Sequence, residues 1–237
     1  MRYFPTEQWL EEYGRLLEES GTLDGVATGW GVGFDGDVLF VIEDLPLAET
    51  TLGDLPEPVL ADLPEGIQAS IEDVTLAEAP TYFDEGVRES LPGPAAMLLD
   101  QLEASVVDGD VYAYIGLVEG HCTGVELLES PDEREVGFVI RGDYTVWRQI
   151  IDGRPAASAL LSNDLTIEGS WFRLGQYAAV PQLLGDIAAE VETVHLFQGA
   201  ETSTSDALLD EAVRTPVAVQ RLAQRQATLV SRTFGFL

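Results

Sequence analysis

The chain has 237 residues and not one lysine; all 12 of its basic residues are arginine, against 42 aspartates and glutamates. With no basic stripe to neutralise a phosphate backbone, nucleic-acid binding is disfavoured as its activity. A single cysteine, Cys122, excludes an internal disulfide framework, and with only two histidines, His121 and His195, the ligand set of a structural zinc site is missing. The patterns G-x-S-x-G, H-E-x-x-H and the phosphate loop are absent too, which leaves only scattered carboxylates as a source of catalysis. No stretch approaches the ~20 apolar residues of a membrane span. The N-terminus shows no basic region followed by an apolar segment, so the chain reads as soluble and cytoplasmic.

The formal net charge is −30, while the hydrophobic fraction of 46% is ordinary for a globular protein. Such an acidic excess destabilises a compact state by self-repulsion in dilute buffer. At molar salt the screening length shrinks to roughly 3 Å and the repulsion largely vanishes. The charge therefore reads as adaptation to a high-salt interior. The acids are spread along the chain, as in Glu11-Glu12 and Glu18-Glu19, which argues against a local nucleic-acid mimic.

Residues 6 to 19 form the clearest amphipathic helix, with Trp9, Leu10, Tyr13, Leu16 and Leu17 on one face and acids on the other. Trp30, Val32 and Phe34 alternate with glycines, Asp35-Gly36-Asp37 reads as a turn, and Val38 to Ile42 returns, so a hairpin is expected. From about 45 to 107 the sequence is acidic and punctuated by prolines, with its best helix from Pro94 to Ser105. This insertion is either peripheral packing or a lid. Val111 to Leu117 and Thr123 to Leu128 flank Glu119-Gly120 as a second hairpin. Beyond Phe197 the acidity fades. A helix from Thr215-Pro216 to about Arg232 would be loosely periodic, and the tail 198–237 reads as partly helical or disordered. Residues 1–197 are then one domain carrying the 45–107 insertion.

The centre of the chain is Glu135 to Gly169. Val136 to Ile140 suits a buried strand; Tyr144, Trp147, Ile150 and Ile151 share a helical face, with Asp143 as cap and Asp152-Gly153 as stop. A second short helix follows Pro155, then the strand Leu165-Thr-Ile167. Ser170 caps a helix through Trp171, Phe172, Leu174 and Tyr177. Pro181 should interrupt it before the helical spacing resumes from Leu183 to Val194. This segment, with Gly29 to Ile42 and Val111 to Ser130 upstream, resembles the sterol carrier protein type 2 family in its stand-alone prokaryotic, haloarchaeal-like members. The likeness covers about half the chain in two blocks, and Gly175 and Pro181 depart from the family's unbroken helix. The resemblance implies an α+β fold: a twisted mixed, largely antiparallel sheet of about five strands, with helices on one face enclosing an apolar lipid tunnel. It also implies no catalytic residues and no cofactor.

Gly29-Trp-Gly-Val-Gly33 is followed by another strand rather than a helix N-terminus, so it is not a dinucleotide loop. Asp35/Asp37 and Asp108/Asp110 lack the oxygen ligands of a calcium loop and read as turn residues. His121 and Cys122 are neighbours on a strand and point to opposite faces, so they cannot act as base and nucleophile. The affirmative signal is apolar. By the resemblance, Trp147, Ile150, Ile151, Leu160, Leu161, Ile167, Trp171, Phe172 and Tyr177 line the tunnel; by composition alone they fill an ordinary core. A tail of ~14 methylenes gains on the order of 11 kcal/mol on burial, before several kcal/mol of association cost. An empty apolar cavity of ~300 Å³ would cost roughly 7 kcal/mol, so the tunnel is either filled or partly collapsed. The reading is a non-enzymatic binder, or carrier, of a hydrophobic molecule of isoprenoid, acyl or quinone type, with transient membrane or enzyme contact. The alternative is an accessory subunit with a collapsed core that docks to an enzyme of lipid metabolism.

Overall fold

Val38–Glu43 (β2) is apolar along nearly its whole length because both of its faces are covered. Val38, Phe40 and Ile42 point into the main core, while Leu39 and Val41 join Leu128 in a smaller one on the opposite side. The computed structural model describes residues 2–60, 65–83 and 93–197. The chain divides into two units, Met1–Gly199 and Ala200–Leu237. The expected tail helix lies outside the described residues, as do 61–64 and 84–92 of the insertion.

Around β2 the chain builds a mixed sheet. Asp110–Val118 (β4) pairs with it antiparallel and Phe138–Asp143 (β6) parallel, Val38 lying opposite Phe138. His121–Leu128 (β5) and Val106–Val107 (β3) pair with β4, and Thr166–Gly169 (β7) pairs antiparallel with β6. Among the described residues the sheet has six strands where about five were expected. The extra one is β3, joined to β4 through Asp108 (φ 54°) and Gly109 (φ 92°), a two-residue turn whose positive φ values match the twist of a hairpin. Glu119 (φ 53°) and Gly120 (φ 87°) close the expected β4–β5 hairpin in the same way.

Glu7–Glu18 (α1) starts where Trp9 N–H donates to the Thr6 hydroxyl, and it buries Trp9, Leu10, Tyr13, Gly14 and Leu17. It lies against β5. Gly21–Val26 (α2) follows, capped by Ser20. The insertion supplies Glu57–Leu60 (α3), Glu65–Ile71 (α4), Ala79–Tyr82 (α5) and Gly93–Ser105 (α6), with α6 packed on β3. Tyr144–Ile151 (α7) leaves β6 directly and lies on β2 and β6. Ala156–Leu161 (α8), Trp171–Gln176 (α9) and Ala179–Ala188 (α10) complete the helical layer, and α10 contacts α1, α2, α7 and α8. The break between α9 and α10 falls at Tyr177-Ala178, one turn before Pro181, whose ring would meet the carbonyl four residues back.

Two expectations fail. The first hairpin has no first arm: Ala27 to Phe34 is a series of turns, because Gly29, Gly31 and Gly33 all adopt positive φ (85°, 79°, 74°). Trp30 is instead buried, donating its indole N–H to the Gly36 carbonyl at 2.6 Å. The helical spacing to Val194 also stops early. Helix α10 ends at Ala188, and Thr193–His195 (β8) pairs in parallel with Arg2–Phe4 (β1) as a separate two-stranded sheet. Trp9 ties α1 to this pair by donating to the Thr193 hydroxyl at 2.8 Å. His195 Nε2 lies 3.0 Å from Asp152 at the end of α7.

Candidate functional site

Helix α7 presents Trp147 to the inner face of the sheet because the residue follows the strand-to-helix junction by one turn and its neighbours Tyr144, Ile150 and Ile151 seat the same face. The indole is buried. Its N–H donates to the Val41 carbonyl at 3.0 Å, and its ring packs on Phe40 with centroids 4.8 Å apart at 39°. The bond satisfies the one polar atom of the side chain in an otherwise apolar setting.

Two voids have this ring in their walls. The first encloses about 380 Å³, counting the part open to solvent, among Phe4, Trp9, Leu10, Ile42, Ala113, Leu127 and Ile151. The second, about 320 Å³ on the same measure, lies among Ile140, Ile150, Ala156, Leu160, Leu165, Pro181 and Leu184. Phe40, Trp147 and Ala188 line both. Among the described residues, none that is charged lines either void. Side chains crowd the space, so the freely reachable interior of each is about that of a water molecule. The expected tunnel is not seen among the described residues, where two narrow apolar voids share Phe40, Trp147 and Ala188 in their walls. None of the insertion's described residues lines either void, so a lid from 45–107 finds no footing among them at these two.

Of the residues anticipated as lining, the structure brings Trp147, Ile150, Ile151 and Leu160 to the voids. Ile167 is partly buried against the core but lines neither void. Tyr177 packs elsewhere, edge-on to Trp30 at 5.5 Å and beside Phe34 at 6.3 Å. Leu161, Trp171 and Phe172 are 89%, 74% and 77% exposed. Helix α8 has only six residues, and Ala156 and Ala159 take its buried face; α9, equally short, buries only Leu174. The Arg173 guanidinium lies over the Phe34 ring, 4.6 Å from its centroid. Phe40, Ala188 and the α1 residues Trp9 and Leu10 belong to the walls without having been anticipated there. The period-two pattern Val38, Phe40, Ile42 and the apolar face of α1 were the available signals.

The remaining polar groups do not converge on the voids. Cys122 is buried, which pushes its thiol up, and its sulfur lies 3.7 Å from the Gly124 carbonyl. His121 sits on the surface, 3.3 Å from Asp24. Among the described residues, no group of three or more histidines, cysteines or acids is placed to hold a metal. No described helix is long and apolar enough to cross a membrane.

Two solved structures resemble this one. The crystal structure of sterol carrier protein 2 aligns with a TM-score of 0.46 and 21% identity, covering 78% of this chain and 97% of its own. The solution structure of a conserved hypothetical protein from Thermus thermophilus, described as possibly a sterol carrier protein, aligns with the same score and identity, covering 80% of this chain and 90% of its own. No family description matches the chain, and no curated protein sequence matches it.

Proposed function

We propose that this protein binds a single hydrophobic molecule, an acyl, isoprenoid or quinone-type lipid, between the inner face of the sheet and helices α1, α7, α8 and α10. The observation that carries this reading is the pair of apolar voids adjoining at Trp147. The gaps themselves are only about the size of a water molecule, so the support comes from their wholly apolar, uncharged lining rather than from open space. Residues 135–169, the segment that resembles sterol carrier proteins, supply Ile140, Trp147, Ile150, Ile151, Leu160 and Leu165 to the walls. Binding is non-covalent. Apolar side chains solvate the tail, and the helical layer shifts to admit it, since the voids as they stand are too narrow. The binding domain is 1–197, with 45–107 as peripheral packing. The acidic surface suits it to work at high salt.

Mass spectrometry of organic extracts tests this directly, with the protein purified at molar salt from a halophilic host. One apolar molecule per chain, reduced when Leu184→Trp fills the second void, is the expected result. A second reading, a docking subunit with a collapsed core, is favoured by the narrowness of the voids and by the exposed Leu161, Trp171 and Phe172. It predicts an extract free of lipid and a defined protein that co-purifies and is lost on Trp171→Ala.

A further inference from the structure

We infer that Trp147 sets the length of apolar chain that the protein accepts. This rests on the proposed lipid-binding reading and deepens it. The indole stands where the two voids adjoin, and among the described residues only Phe40 and Ala188 share that position with it. Phe40 is fixed on the central strand, and Ala188 is too small to block a passage. Of the three, the indole is the bulkiest side chain, and the obstacle between the voids is assigned to it. It is held in place by its bond to the backbone of β2, at Val41, and by the Phe40 ring. A chain entering either void runs up against it.

The sizes give this a consequence. As they stand the voids are narrow, each with a reachable interior of about one water molecule, so a chain occupies either only once the helical layer has moved apart. One void suits a short chain, and the two joined suit a long one. With the indole in place, affinity for unbranched fatty acids rises about fourfold per methylene, the equivalent of about 0.8 kcal/mol each, until one void is filled. It then levels off, because further methylenes remain in water.

The test is a series from octanoic to stearic acid, measured by displacement of a fluorescent fatty acid at molar salt, for the wild type, Trp147→Phe and Trp147→Ala. The wild type is expected to level off within the series. Both variants continue to rise, and the palmitic-to-octanoic affinity ratio grows at least about tenfold in Trp147→Ala, the worth of two further methylenes. Trp147→Phe keeps a ring in the core and carries the test if the alanine variant does not fold. Leu161→Ala, on the exposed end of α8, keeps the wild-type profile. Binding by all of these proteins with one common chain-length profile overturns the assignment to Trp147 and leaves lipid binding standing. No binding of any chain by any of them removes the lipid reading and this inference with it.

Discussion

Tyr13 and Tyr144 are buried, and burial pushes both phenols above their ordinary value of 10.0. Tyr112 is raised by partial burial, with Asp110 adding to it. Tyr114 is pushed to about 12 by burial and by donating its hydroxyl hydrogen to Asp37. The unfolded chain therefore gives up tyrosyl protons near pH 10 while the folded one retains them. The contribution of Tyr114 is fully present below pH 10 and is lost as pH rises through about 12, and the other three act in the same direction. Melting temperature is expected to fall above about pH 10, with a shallower fall in Tyr114→Phe; equal slopes would remove Tyr114 from the account. At Gly14, an added Cβ would sit 2.8 and 3.0 Å from the two methyls of Val125. Gly14→Ala gains about 1 kcal/mol in helix propensity but overpacks the α1–β5 contact by about 1–3 kcal/mol. A lowered melting temperature, recovered by adding Val125→Ala, is the expected pair of results. At this scale the sequence disclosed Trp147, Ile150 and Ile151, because a helical face is visible as spacing. It did not disclose that Trp171 and Phe172 lie outside, since two aromatic residues at a helix start carry no sign of which way the helix turns.

Among elements, the helix faces and the hairpin at Glu119-Gly120 were legible because each rests on a local signal: spacing, a cap or a turn dipeptide. The run Gly29 to Phe34 misled for the same reason. Its period-two apolar pattern is that of a strand, but three glycines let the backbone coil, and burial of Trp30 against Phe138, at 4.7 Å, holds the coil in place. Parallel pairing of β1 with β8 had no local signal, since its partners stand nearly the whole domain apart in sequence. Gly36 tests the loop. A Cβ there would meet the Leu117 carbonyl at 2.6 Å and the Trp30 indole nitrogen at 2.7 Å. Gly36→Ala is expected to destabilise by about 2 kcal/mol or more and to shift tryptophan emission to the red as Trp30 loosens. An unchanged spectrum and melting temperature would speak for an ordinary hairpin turn.

For the whole molecule, the centre of the chain foretold the α+β architecture, while the conditions of stability read from composition are a prediction. What no sequence pattern could disclose is where the interior leaves gaps, because void space is set by how side chains from several elements meet. With 42 acids against 12 arginines, self-repulsion is screened over about 10 Å at 0.1 M salt but over about 3 Å at 1 M. Melting temperature is expected to rise steeply between those concentrations of potassium chloride, and a flat dependence would remove the high-salt reading. The central claim is that the space around Trp147 receives a lipid. Its most direct test is titration of the wild-type protein at molar salt with a fluorescent fatty acid, followed by competition with unlabelled palmitic acid. Saturable one-to-one binding in the micromolar range, displaced by the competitor, is the predicted result. Emission that never saturates, or that palmitic acid fails to reverse, would contradict it.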